Sequence, residues 1–154
     1  MNLVIFGPPG AGKGTQSSYI ATKFKLYQLS TGELLRNEIK NNTNLGKQIS
    51  STINSGNLVS NELVNNLIEK YLSDKTYQNK IIFDGYPRNL IQAQTLNDSL
   101  IKYNQKIHIA LRLTVSLDTI IKRIKERSAL EKRDDDSEEI AIKRFQTYEK
   151  SSEP

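Results

Sequence analysis

An α/β fold is predicted, a parallel β-sheet with helices on both faces, and two features of the chain predict it. Short apolar runs alternate with longer amphipathic segments throughout its 154 residues. The first such run, Leu3-Val4-Ile5-Phe6, passes directly into the glycine-rich stretch Gly7-Pro8-Pro9-Gly10-Ala11-Gly12-Lys13-Gly14-Thr15. Parallel strands need crossover connections, and the helical segments between the apolar runs supply them. The length fits one domain in three layers.

Element by element, the pattern predicts a strand over Asn2 to Phe6 and a helix over Lys13 to Phe24, with Tyr19, Ile20 and Phe24 as its apolar positions. A short strand follows from Tyr27 to Leu29. A helix opens near Thr31, where Ser30 and Glu33 stand at capping-box spacing. Helical stretches around Leu45 to Asn54 and Glu62 to Leu72 flank Gly56, which reads as a C-cap and turn. Ile81-Ile82-Phe83 is a buried strand, followed by a helix from Leu90 to Tyr103 and a strand from Ile107 to Leu113. Helices near Leu117 to Arg127 and Glu138 to Lys150 complete the series. The single histidine, His108, lies in an apolar run and reads as a packed strand residue.

A strand, a glycine-rich turn and a helix in that order make a phosphate-binding loop. Backbone N–H groups turn inward around an anion, Lys13 adds a positive charge, and the helix presents its positive end. The hydroxyl comes at Thr15, one place later than in the strict pattern, because Gly14 follows Lys13. The absence of cysteine excludes disulfides and a Cys-ligated zinc site. No apolar run approaches the roughly 20 residues of a membrane span, and the first residues lack the charged-then-apolar order of a secretion signal. A cytoplasmic protein without a membrane partner is expected. The net charge of +5 is spread along the chain with no aromatic-interleaved patch, so small anionic substrates explain it better than nucleic acid. Only seven of the 22 basic residues are arginine, and six of those seven recur in the readings below. A guanidinium grips phosphate oxygens bidentately and keeps its proton. Arg112 is the seventh, and no role is read for it.

Gly12-Lys13-Gly14-Thr15 resembles the loop of the nucleoside monophosphate kinases. Four further segments narrow the resemblance to the adenylate kinases: Leu29-Ser30-Thr31-Gly32-Glu33-Leu34-Leu35-Arg36, Gly56-Asn57-Leu58-Val59-Ser60, Asp84-Gly85-Tyr86-Pro87-Arg88, and Arg133-Asp134-Asp135-Asp136 with Arg144. They occur in the family's order and spacing over essentially the whole chain. The resemblance implies a P-loop nucleoside-triphosphate-hydrolase-like fold, a monomer, and reversible phosphoryl transfer from MgATP to AMP giving two ADP, with a place in nucleotide homeostasis and purine salvage. It divides the domain into a core (residues 1–29, 60–127 and 134–154), AMP-binding helices (30–59) and a short lid (128–133) without a zinc subdomain.

Residue by residue, the resemblance puts the ATP phosphates on Gly10, Ala11, Gly12, Lys13, Gly14 and Thr15, with Lys13 on the migrating group. Thr15 faces Mg2+, and Asp84 holds the metal through water; taken alone, Asp84 also reads as a turn cap. Arg123 and Arg127, one helical turn apart, are implied to stack on the ATP base and contact its phosphates. Thr31, Arg36, Asn57, Leu58, Val59, Gly85, Tyr86, Pro87, Arg88 and Gln92 form the AMP pocket. Arg36 and Arg88 clamp its phosphate, and Gln92, which by itself reads as a solvated helix residue, pairs with the adenine edge. Arg133 and Arg144 bridge donor and acceptor phosphates. Thr31 and Gln92 favour AMP over UMP or CMP, so a UMP/CMP kinase is the alternative within the class. A nucleotide-binding chain without useful catalysis is the alternative outside it.

Two departures stand out. Lys132 occupies a place where short lids commonly carry glycine. The chain also ends at Glu153-Pro154, where the family continues into a further helix, a last strand and a terminal helix. The sheet is therefore expected to be one strand short, with an unpaired edge, and the chain less stable and weaker in ATP binding than a longer relative.

Overall fold

The computed structural model describes residues 1–131 and 137–152. The chain alternates strand and helix as β1 (Asn2–Phe6), α1 (Lys13–Phe24), β2 (Tyr27–Ser30), α2 (Thr31–Lys40), α3 (Asn44–Asn54), α4 (Asn61–Ser73), β3 (Ile81–Asp84), α5 (Leu90–Lys102), β4 (Ile107–Arg112), α6 (Leu117–Glu131) and α7 (Glu138–Ser151). A 3-10 turn at Lys75–Tyr77 leads into β3. All pairings are parallel, in the order β2-β3-β1-β4. The carboxyl ends of β1, β2 and β3 therefore open on one side of the sheet, where open α/β folds place their ligands.

Side-chain oxygens of Thr43, Asn89 and Ser137 accept from the N–H groups of Gly46, Gln92 and Ile140 and cap α3, α5 and α7. After α3, Gly56 has φ of 73°. Its N–H donates to Ile53 O and that of Asn57 to Thr52 O. This is the αL stop expected from the glycine there. The capping box expected at Ser30 and Glu33 does not form, since Ser30 makes no side-chain cap bond. Ser30 is still paired in the sheet, opposite Asp84, and its ψ is 100° against 155–170° at the three residues that do cap.

The larger core lies on one face of the sheet, where Val4, Leu29, Ile81 and Phe83 meet Leu35, Ile68, Leu72 and Leu96 from the helices. A smaller cluster on Leu3 and Ile82 is covered by Ala21 of α1. A third, of Ile120, Ile124 and Ala141, joins α6 to α7. β3 is buried throughout, whereas β4 is largely open, with Ile109 41% exposed. Among the described residues β4 has no partner strand on its outer side. His108 is accordingly exposed rather than packed, and its Nδ1 accepts from the Asn2 N–H at 3.0 Å. α6 runs one turn past its expected end at Arg127, through the start of the segment expected as lid. Among the described residues no helix is long and apolar enough to cross a membrane.

Candidate functional site: a phosphate loop opening on a cationic cleft

Between β1 and α1 the loop turns through Gly7, Gly10 and Gly12, all at positive φ. Gly12 is the N-cap of α1 at φ 92° and makes no side-chain cap bond. The first-turn N–H groups of α1 are thus left for an anion. Lys13 Nζ donates to the carbonyls of Gly7 at 2.7 Å and Pro8 at 2.9 Å. α6 supports the loop from behind: Ile120 and Ile124 lie against Gly10, and Arg123 Nη1 donates to Ala11 O at 3.3 Å. Gly14 and Thr15 are exposed.

Asp84 ends β3 beside the loop. A Cβ on Gly14 would sit 3.6 Å from its Oδ2. Gln28, from β2, donates to the same Oδ2 at 3.2 Å and approaches Gly14 O at 3.4 Å. No sequence reading singled out Gln28; its place opposite Ile82 in the parallel register puts it there.

On the other side of Lys13 lies a cleft open to solvent. Of the residues expected to bind AMP, Thr31, Arg36, Asn57, Leu58, Val59, Gly85, Pro87, Arg88 and Gln92 line it, and so do Lys13 and Arg144. Tyr86 does not: its ring is 1% exposed in the large core, with its hydroxyl 2.7 Å from Asn65 Oδ1 and 3.2 Å from Gln92 O. Ring burial outweighs exposure at a residue flanked by site residues. Thr31 Oγ1 donates to Gly85 O at 2.8 Å, and Arg88 Nε donates to the same carbonyl at 2.7 Å. Arg36 and Arg88 converge over Gly32, where a Cβ would lie 3.1 Å from Arg36 Nη1 and 3.5 Å from Arg88 Nη2. The stem of Arg144 crosses Gly56, so α7 closes one wall against the α3–α4 turn. Ser152 Oγ donates to Arg88 O at 2.7 Å, and Thr147 and Tyr148, unforeseen in the sequence, line the same wall. Gln92 is not solvated but 2% exposed, with both ends of its amide bonded. Arg133 lies outside the described residues.

Lys13 is the electrostatic centre. Burial brings its pKa down from the ordinary 10.5 to about 7, helped by Arg88 and opposed by Asp84, with Arg144 and Arg127 pushing further down. Cations from α1, α6, α7 and the β3–α5 loop are thus close enough to repel one another, and an anion with several charges relieves them. The donor set for a metal is one carboxylate beside the loop, and among the described residues no three His, Cys, Asp or Glu converge. That suits Mg2+, which keeps most of its waters and takes few protein carboxylates.

A phosphate loop at the carboxyl end of a parallel sheet, facing a second pocket lined by arginines, defines a P-loop phosphotransferase. The family profile for adenylate kinase matches residues 5–154. The chain is 43% identical to an adenylate kinase of Pelagibacter ubique, covering 100% of this chain and 84% of that protein. It is 45% identical to one of Prochlorococcus marinus (99% and 81%) and 40% identical to one of Caulobacter vibrioides (100% and 81%). The chain belongs to the adenylate kinase family. It is an ATP-binding transferase of the kinase type.

Proposed function

We propose that the protein transfers a phosphoryl group from MgATP to AMP, giving two ADP. The observation that carries this reading is the position of Lys13, at the junction of the phosphate loop with the arginine-lined cleft and within the field of Arg88, Arg127 and Arg144. A donor phosphate on the loop and an acceptor phosphate in the cleft would meet there.

In phosphoryl transfer the protein positions the reactants in line and neutralises the moving charge. The loop N–H groups from Gly10 to Thr15 hold the ATP phosphates. Arg123, on the outer side of the loop, and Arg127 hold the nucleotide from α6. Arg36 and Arg88 grip the AMP phosphate over Gly32, and Arg144 spans from α7 to the transferring group, joined by Arg133. Lys13 exchanges the Gly7 and Pro8 carbonyls for phosphate oxygens and follows the group as it moves. Asp84, steadied by Gln28, and Thr15 would hold the magnesium ion, which supplies positive charge to the terminal ATP phosphates. Leu58, Val59 and Gly85 enclose the AMP base, and Gln92 pairs with its edge. Closure of the AMP-binding helices (30–59) and the lid (128–133) over the nucleotides excludes the water that would otherwise hydrolyse ATP.

ADP formation from MgATP with AMP, UMP or CMP, with Lys13→Ala as control, tests this. Lys13-dependent ADP production preferring AMP is the expected result. Preference for UMP or CMP would overturn the acceptor assignment, and tight ATP binding without ADP formation would overturn the enzymatic one.

A further inference from the structure

We infer that Asn61 is a positioning residue that locks the polarity of the Gln92 amide and thereby selects a 6-amino over a 6-oxo purine nucleotide as phosphoryl acceptor. This rests on the reading that Gln92 faces the acceptor base.

Two backbone donors set the pattern. The Arg88 N–H donates at 2.8 Å to Gln92 Oε1, and the Gln92 N–H donates at 2.8 Å to Asn89 Oδ1. A backbone N–H accepts nothing, so each of these amides must present its oxygen there. The nitrogens of both then point at one atom: Gln92 Nε2 donates to Asn61 Oδ1 at 3.0 Å and Asn89 Nδ2 donates to it at 2.9 Å. Asn61 in turn cannot rotate, since its own NH2 would then face two donors. Three side-chain amides are fixed in one sense by two backbone groups.

Gln92 is left with one N–H on Nε2 and one lone pair on Oε1, and it lines the cleft. A 6-amino purine offers a donor at its amino group beside a ring-nitrogen acceptor, the complement of an amide in one order. A 6-oxo purine has the same size and shape but offers an acceptor and a ring N–H in the opposite order. To pair with it, the Gln92 amide would have to invert, turning NH2 toward the Arg88 N–H and oxygen toward Asn61 Oδ1. Both bonds would be replaced by like-to-like contacts, which cost more than bonds merely lost. Arg88 N–H alone enforces half of this preference; Asn61 supplies the other half.

The test is kcat/KM for AMP and for inosine monophosphate, with KM for ATP measured alongside. The unaltered protein should prefer AMP. Asn61→Leu should reduce that ratio by roughly tenfold, about one buried hydrogen bond, with KM for ATP unchanged. Asn61→Asp keeps both acceptor bonds and should retain the ratio. Asn89→Asp keeps the capping oxygen but removes the donor that holds Asn61, so the ratio should fall here too, which serves if Asn61→Leu does not fold. An unchanged ratio in the folded Asn61→Leu and Asn89→Asp proteins, or equal losses with both acceptors, would overturn the inference. Gln92→Leu separates it from the reading beneath it. If Gln92→Leu leaves the ratio intact, Gln92 does not face the base; if it abolishes the ratio while Asn61→Leu does not, only the role of Asn61 fails.

Discussion

Nucleotide binding at pH 8 should take up close to one proton at Lys13. Burial, with Arg88 acting the same way, holds its ammonium down at about 7 in the nucleotide-free protein. A group with that pKa is protonated in about one molecule in ten at pH 8. Triphosphate oxygens beside the amine favour its charged form. Uptake should therefore be about 0.9 proton per site at pH 8, about half a proton at pH 7 and little at pH 6. ATP itself contributes little at pH 8, because its last phosphate ionisation is near pH 6. Titration calorimetry in buffers of different ionisation enthalpy reads the uptake directly as a slope. Arg144→Met removes one of the charges that push Lys13 down and should reduce uptake at pH 8. A binding enthalpy independent of buffer, or equal uptake in Lys13→Met, would refute the reasoning. The same shift carries a sign for stability. Its folded pKa lies below the unfolded one, so between pH about 7 and 10.5 the unfolded chain binds more protons, and stability owed to this group rises with pH across that window. The difference in melting temperature between the nucleotide-free protein and Lys13→Met, followed from pH 7 to 10, should show that rise.

Three further outcomes are expected. In Gly46→Ala the new Cβ would lie 2.1 Å from the Glu38 carbonyl oxygen. α2 and α3 would have to separate by about an ångström, costing about 3 kcal/mol and lowering Tm by about 8 °C; a thermal scan showing a drop under about 2 °C would mean that the helix crossing yields freely. Arg88→Met should lower kcat/KM for AMP by about 10²-fold, the usual loss when one preorganised donor to a developing charge is removed, and unchanged kinetics would remove Arg88 from the phosphate clamp. Gln28→Leu frees Asp84 Oδ2 from its 3.2 Å donor, so the free Mg2+ giving half-maximal rate should rise several-fold while KM for AMP stays the same; a rise in KM for AMP instead would place Gln28 on the acceptor side.

The parts of the site legible in the sequence are those where local chemistry and position coincide. The phosphate loop is read from contiguous residues, because its work is done by backbone N–H groups and one lysine within a single turn. The arginines are proposed from the family motifs they match, with the scarcity of guanidinium groups in a lysine-rich chain as support. Gln28, Asn61 and Asn89 were not legible, since an amide on an α/β surface looks like any solvated polar residue until register and helix packing set it against a carboxylate or another amide. Gln92 shows the same limit from the other side: its role was read from its spacing to Arg88, while its own neighbours suggested a solvated helix face, and it is buried. Ser30 and Tyr86 differ for local reasons as well. Pairing of β2 with β3 holds Ser30 extended beyond the cap geometry, and an aromatic ring beside a buried strand gains more from the core than from the cleft.

By itself the sequence determined the α/β class, the order of strands and helices, the phosphate loop and the family, because periodicity, turn residues and contiguous motifs are local properties of the chain. Tertiary structure alone decided what meets across it. The parallel register sets Gln28 on Asp84, the approach of α7 to Gly56 brings Arg144 into the field of Lys13, and the meeting of α4 with α5 joins Asn61 to Gln92. These contacts depend on how layers pack rather than on which residues are adjacent, and burial at their meeting point brings the lysine to a pKa of about 7.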